Sequence, residues 1–253
     1  MNIRDFTFDH YEKLLDAALD NGYTFYSVDE HIRRSDHDNP YIAIRHDVDR
    51  KVSTARSMAK TEAERDIPTT YYFRTSTFSP KIVAEVADLG HEVGYHYEDF
   101  VKSRGNIKES HKRFARNLAR FREHAEVTTI CPHGSPLSPH HNLDMWTNEN
   151  SIEDYDLTGE AYLSMETSHN DSAKPSYLSD TGRNWNTSLP GIGQLSTTDD
   201  LITALEADCC NRLYLLVHPG RWSRSTTEQI QRVAWDLAAE VGKTAAKTVH
   251  TIL

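Results

Sequence analysis

Tyr41-Ile42-Ala43-Ile44-Arg45-His46-Asp47-Val48-Asp49-Arg50 is an apolar run that ends in a histidine and two carboxylates one residue apart. The run reads as a buried strand, with the acidic tip at its C-terminal end. In α/β folds that end is where loops converge and sites are built. Alternation along an extended backbone points Asp47 and Asp49 to the same side. Two carboxylates that close repel, which favours a cation between or beside them. The competing reading is an Asp-rich turn that merely closes a strand.

Working outward, Phe8 to Asn21 has helical periodicity with Tyr11, Leu14, Leu15, Ala18 and Leu19 on one face, and Gly22 ends it. Tyr23 to Val28 reads as a strand, Val52 to Asp66 as a helix, and Thr69 to Arg74 as the next strand. Ser79-Pro80 opens a helix that runs through Leu89, with Pro at its first position. After Gly90 come the strand His91 to His96 and an amphipathic helix from Asn106 to His124, with Ile107, Phe114, Leu118 and Phe121 inward. Further strands are expected at Val127 to Cys131, Tyr162 to Ser164, Tyr177 to Asp180 and Leu213 to His218, and a last helix at Thr226 to Val241. Strands alternating with helices predict an α/β fold with a parallel sheet or barrel. No linker or repeat divides residues 1–253, so one domain is expected.

With 38% hydrophobic and 26% charged residues, the composition is that of a soluble globular chain. A formal charge of -10 argues against general affinity for nucleic acid or anionic membranes. The acidity, with Arg outnumbering Lys, fits a salt-adapted host and equally an ordinary acidic cytosolic enzyme. No run is long enough to span a bilayer, and Met1 to Asp5 has no apolar leader character, so the expected location is cytoplasmic, without membrane insertion. The three cysteines, Cys131, Cys209 and Cys210, fit a reducing compartment.

Four strand ends carry groups suited to catalysis: Asp47/Asp49, His96, His133 and His218. His96 follows an apolar strand beside Glu98 and Asp99, which suits a metal ligand as well as a structural role. His133 sits in the rigid Cys131-Pro132-His133-Gly134 loop, which also reads as an ordinary turn. His218 closes Leu213-Tyr214-Leu215-Leu216-Val217 and reads either as a general acid or base or as a polar residue that merely ends the strand. Tyr97, Trp146, Trp185 and Trp222 are either sugar platforms or core. Arg221 adds a cation beside His218 that suits a phosphate or carboxylate on a substrate.

These stretches resemble the polysaccharide deacetylases, metal-dependent carbohydrate deacetylases on a distorted (β/α) barrel of about seven parallel strands. The likeness runs from the N-terminal helix to Pro219. Gly90-His91-Glu92-Val93-Gly94 reproduces the lead-in to the family's second motif, whose following His ligates metal and matches His96. Arg45-His46-Asp47-Val48-Asp49 stands where the family has Thr-Phe-Asp-Asp-Gly, so the resemblance implies Asp47 as base and Asp49 as ligand. Leu215-Leu216-Val217-His218 matches the motif that supplies the general acid. Three departures stand out. Phe100 replaces the family's second histidine, leaving His133 first and Glu98 second as third ligand. Val48 separates the two acids, so their roles are open to exchange. The family's Arg-x-Pro-Tyr segment, whose Arg orients the base, is replaced by Cys131-Pro132-His133-Gly134, and Arg183 is the candidate substitute.

The expected activity is hydrolysis of an acyl group, N-acetyl above all, from an amino sugar or glycan precursor. A divalent ion, zinc by its N/O donor set, would be held by Asp49, His96 and His133. Asp47 would be the base, His218 the acid, and Asp180 a group to hold His218 or an arginine. The alternatives are a catalytically inactive glycan-binding barrel, a hydrolase of non-sugar amides, and a glycosyltransferase using Asp-x-Asp for a metal–nucleotide sugar. The last leaves His96 and His218 without a role.

Overall fold

The computed structural model describes residues 5–234 except 39, 148, 169, 170, 172, 186, 190–192 and 226. In chain order the elements are α1 (Phe8–Asp20), β1 (Thr24–Tyr26), α2 (Val28–Arg33), β2 (Tyr41–Val48), α3 (Val52–Ala63), β3 (Thr70–Phe73), α4 (Pro80–Asp88) and β4 (Glu92–Tyr97). They continue with α5 (Asp99–Lys102), α6 (Ile107–Arg122), β5 (Thr129–Pro132), β6 (Gly159–Glu160), β7 (Ser176–Ser179), β8 (Thr187–Leu189), β9 (Gly193–Leu195), α7 (Thr198–Glu206) and β10 (Arg212–Val217). Residues 227–234 are helical, and the rest of the expected last helix lies outside the described residues.

The main sheet runs β6-β5-β4-β3-β2-β10-β7, with every pairing parallel. On one edge of β2, residues Tyr41 to Ala43 take β1 and residues Arg45 to Val48 take β3. Its other edge pairs with β10 from Tyr41 to His46. The sheet curls until Tyr162, just after β6, and Tyr177 of β7 bring their rings to 6.3 Å. The result is a distorted (β/α) barrel in which, among the described residues, β6 and β7 are not paired with each other.

Strand alternation divides the core in two. Ile42, Ile44, Val48, Tyr71, Phe73, Val93, Tyr95, Ile130, Leu213, Leu215 and Val217 face the surrounding helices in one large apolar cluster. Ala43, Tyr72, Cys131 and Tyr214 point into the barrel, where Val28, Ala161 and Met165 join them. Gly94 is required in that interior: a Cβ there would lie 2.2 Å from the Tyr72 ring. Tyr72 fills this space and its hydroxyl meets Thr129 Oγ1 at 2.7 Å.

Several expectations change. Val28 begins α2 instead of ending a strand, because Ser27 and Glu30 form a capping box that starts a helix there. Tyr162 to Ser164 is a turn, and the strand is Gly159–Glu160. Glu160 Oε2 accepts the backbone N–H groups of Tyr162 and Leu163, both at 2.9 Å, which takes those donors away from a ladder. α7, capped by Thr197 and Asp200, and the antiparallel β8–β9 pair add to the expected elements. Ser79 stands at the N-cap of α4, but Pro80 at N1 is the helix signal there, since the serine makes no capping hydrogen bond. Among the described residues no helix is long and apolar enough to cross a membrane.

Candidate metal and catalytic centre

Register brings the polar strand tips together. Val217 pairs with His46, so His218 follows at the level of Asp47. His96 pairs with Cys131, and the His133 N–H donates to the Tyr97 carbonyl at 2.9 Å, which seats His133 beside Glu98. His46 points the other way, into the helix layer, where Nε2 meets Glu62 at 2.7 Å.

Asp49, His96 and His133 each offer one donor atom, and the three atoms lie within 4.8 Å of one another. Asp49 Oδ1 is 3.5 Å from His96 Nε2 and 3.4 Å from His133 Nε2. Those separations are long for hydrogen bonds. They match ligands around one small ion, because tetrahedral donors about 2.0–2.1 Å from zinc sit about 3.3 Å apart. Asp49 Oδ1 is a buried oxygen without a hydrogen-bond partner, as such a ligand would be without its metal. The His96 ring is held from behind, with Nδ1 3.0 Å from the Cys131 carbonyl, an arrangement that leaves Nε2 as the free donor. His133 Nδ1 faces Glu98 Oε1 at 3.4 Å. Glu98 is itself tied to Arg74 at 2.6 Å and Lys102 at 2.9 Å, so His133 and not Glu98 joins the trio. Phe100, at the position of the family's second histidine, is buried with its ring against His140.

Electrostatics favour positive charge here. Burial pushes the Asp49 carboxyl up, but His96, His133 and His218 outweigh it and hold it well below the usual range. Burial lowers His96, yet Asp47 and Asp49 more than offset that and raise it. Two acids facing one imidazole nitrogen favour positive charge at that point, carried by the ring or by an ion. Burial, then the neighbouring His96, brings His133 down to about 4, so its ring is neutral and able to ligate at pH 7.

Asp47 lies deeper, 3.7 Å from His96 Nε2. Its cation is Arg45, two residues back on the same strand, with Nε 3.5 Å from Oδ1. The Arg45 guanidinium is fully buried and packs over Tyr162 at 4.2 Å and Tyr214 at 5.3 Å. Arg183, named above for this task, donates instead to the Arg221 carbonyl and to Gln229. Sequence reading missed Arg45 although alternation puts it on the Asp47 side of β2.

His218 and Asp180 form a tight pair, Nδ1 to Oδ1 2.6 Å, and Asp180 also accepts the His218 backbone N–H at 2.9 Å. Arg221 at 3.0 Å and Trp222 Nε1 at 2.9 Å complete the shell around this fully buried acid. Burial pushes Asp180 up, and His218 and Arg221 more than reverse it. Arg221 is therefore engaged with Asp180. Trp185, Trp222 and Tyr97 are core residues, and Trp146 is partly buried against Tyr97 and Phe114.

The sequence matches no family model and no curated protein. Among solved structures the chain is similar to a CE4 family pseudoenzyme from Bacillus anthracis, with 14% identity and a TM-score of 0.43. That match covers 81% of this chain and 62% of the pseudoenzyme, so less than two thirds of its length is spanned. A CE4 esterase from Streptococcus mutans matches at 13% identity over 88% of this chain and 90% of that one, TM-score 0.46. The peptidoglycan deacetylase PdaC from Bacillus subtilis matches at 13% identity over 83% and 98%, TM-score 0.42. The identities are low, and the likeness is one of chain path alone.

Proposed function

We propose that the chain is a metal-dependent hydrolase that removes an acyl group, N-acetyl first, from an amino sugar or glycan precursor. The observation that carries this reading is the trio Asp49 Oδ1, His96 Nε2 and His133 Nε2 at metal-ligand spacing, flanked by a second acid and by a His–Asp pair. One carboxylate and two imidazoles are the donor set of a catalytic zinc or similar ion that keeps an open position. Such an ion supplies a water of lowered pKa and positive charge for a developing oxyanion.

The protein's own groups would divide the proton transfers. Asp47, oriented by Arg45, takes the proton of the attacking water as the C–O bond forms. Asp180 fixes Nδ1 of His218, which leaves Nε2 to donate a proton to the nitrogen as the C–N bond breaks. Asp49 and His133 are about a third and a fifth exposed, which leaves one side of the centre open to substrate. The motif resemblance points to a sugar amide, while the geometry suits any acyl amide small enough to enter.

The test is release of free acetate from a panel of N-acetyl amino sugars and simple amides. Acetate release that disappears in Asp47→Asn with metal retained is the expected result. A metal-loaded protein that cleaves nothing in the panel yet binds the sugars would make this a binding barrel.

A further inference from the structure

His96 belongs to two triangles of donor atoms. Besides Asp49 and His133 on the outside, it meets Asp47 and Cys131 deeper in the barrel, again with all three donor atoms within 4.8 Å. We propose that this inner triangle is a second cation position, selective for a thiophilic divalent ion and mutually exclusive with the outer one. The proposal needs only the geometry of these side chains and does not rest on the hydrolase reading.

Cys131, His96 and Asp47 are 0%, 2% and 4% exposed, so the side chains that line the position are buried. Cys131 Sγ stands 3.8 and 3.9 Å from the two Asp47 oxygens, and His96 Nε2 is 3.7 Å from Oδ2. Around a tetrahedral zinc-sized ion, sulfur and oxygen donors would sit about 3.5 Å apart, and nitrogen and oxygen about 3.3 Å. A contraction of a few tenths of an ångström closes the set, and a larger soft ion such as Cd2+ needs less.

Donor chemistry sets the selectivity. A thiolate prefers soft ions, whereas the outer set of one carboxylate and two imidazoles has no sulfur. Coordination replaces the thiol proton, which leaves to solvent. The thiolate and Asp47 then carry two negative charges, and Arg45 offsets part of them. Exclusivity follows because one Nε2 lone pair serves one ion at a time, Nδ1 being held by the Cys131 carbonyl. An ion at the inner position also ties up Asp47, so a thiophilic metal would inhibit any reaction that uses Asp47 as base.

The probe is Cd2+, titrated into Cys209→Ser protein so that the exposed thiol of Cys209 does not contribute. The readout is the ultraviolet thiolate-to-cadmium charge-transfer band. One band saturating at one Cd2+ per chain is expected, absent in Cys131→Ser and kept in His133→Ala. Asp47→Asn and His96→Ala should each weaken Cd2+ binding at least tenfold, and this contrast with His133→Ala decides the matter even where Cys131→Ser does not fold. Zinc content of Cys131→Ser, read by elemental analysis, should equal that of the parent. A band that survives Cys131→Ser, or one lost in His133→Ala but kept in Asp47→Asn, overturns the proposal.

Discussion

Glu62 and Asp49 are both carboxylates ringed by histidines, and they sit on opposite faces of the same sheet. Glu62 is fully buried in the helix layer, and both oxygens are satisfied at hydrogen-bond distance: His46 at 2.7 Å and Tyr11 on one, Thr69 at 2.7 Å and Tyr71 at 2.8 Å on the other. Asp49 Oδ1 has three nitrogens at 3.4, 3.5 and 3.8 Å and no hydrogen bond from any of them. Burial pushes both acids up, and histidines hold both down, Glu62 to about 2. The residue types are the same, but the distances differ. A carboxylate whose lone pairs are all taken is a structural polar centre, costly to disturb and of no use to an ion. One whose neighbours stop about 3.4 Å away is spaced for a metal.

The largest effect should come from the open cluster. Asp47→Asn should lower turnover by about 10²–10⁴-fold, the range for losing a positioned general base, with metal content unchanged. Metal lost together with turnover would instead exchange the roles of Asp47 and Asp49. Next comes the closed cluster. Glu62→Leu strands His46, Thr69 and Tyr71 without their acceptor, and breaking a buried pair of this kind costs about 3–5 kcal/mol. Urea unfolding measures it. The folded fraction should keep full metal content, because Glu62 faces away from the centre. A change under about 1 kcal/mol would mean that Glu62 is no better satisfied than Asp49.

Glu160 sharpens the contrast as an intermediate case. One of its oxygens holds two backbone N–H groups, the other has no partner, and burial raises its pKa to about 7 despite those bonds and Arg45. The unfolded chain releases this proton near pH 4.3, roughly the reference value for glutamate, while the folded state holds it to about pH 7. Folding therefore takes up a proton between those values, and the contribution of Glu160 to stability falls as pH rises through that window, by about 4 kcal/mol in all. Urea midpoints at pH 5 and pH 8 should show that the wild type loses more stability, or gains less, than Glu160→Gln over this interval, because His133 with its lowered pKa works the opposite way in both proteins. Equal changes in the two proteins would remove Glu160 as the cause.

The same contrast explains what could be read from the chain. Period-two alternation was enough to point Asp47 and Asp49 together, and apolar strands located His96, His133 and His218 at their tips. Alternation also carries Arg45 to the Asp47 side and pairs Cys131 with His133, but an arginine inside an apolar strand reads as noise until its partner is known. Arg183 looked the better cation because it lies in a polar loop; the chain spends it on the Arg221 carbonyl and Gln229. His46 and His91 show the converse, since only the fold reveals that they turn to Glu62. α2 and α7 are signalled by Ser27-x-x-Glu30 and Thr197-x-x-Asp200, capping patterns too short to stand out beside the longer apolar runs. The Tyr162 turn depends on the Glu160 side chain capturing two backbone donors, which no apolar pattern encodes.

The central claim is that Asp49, His96 and His133 are spaced for a metal ion, and elemental analysis of purified wild type, Asp49→Ala and Glu62→Gln tests it most directly. About one transition-metal ion per chain in wild type and Glu62→Gln, and none in Asp49→Ala, is the predicted result. Equal metal content in wild type and Asp49→Ala, or none in any of the three after zinc is supplied, would contradict it.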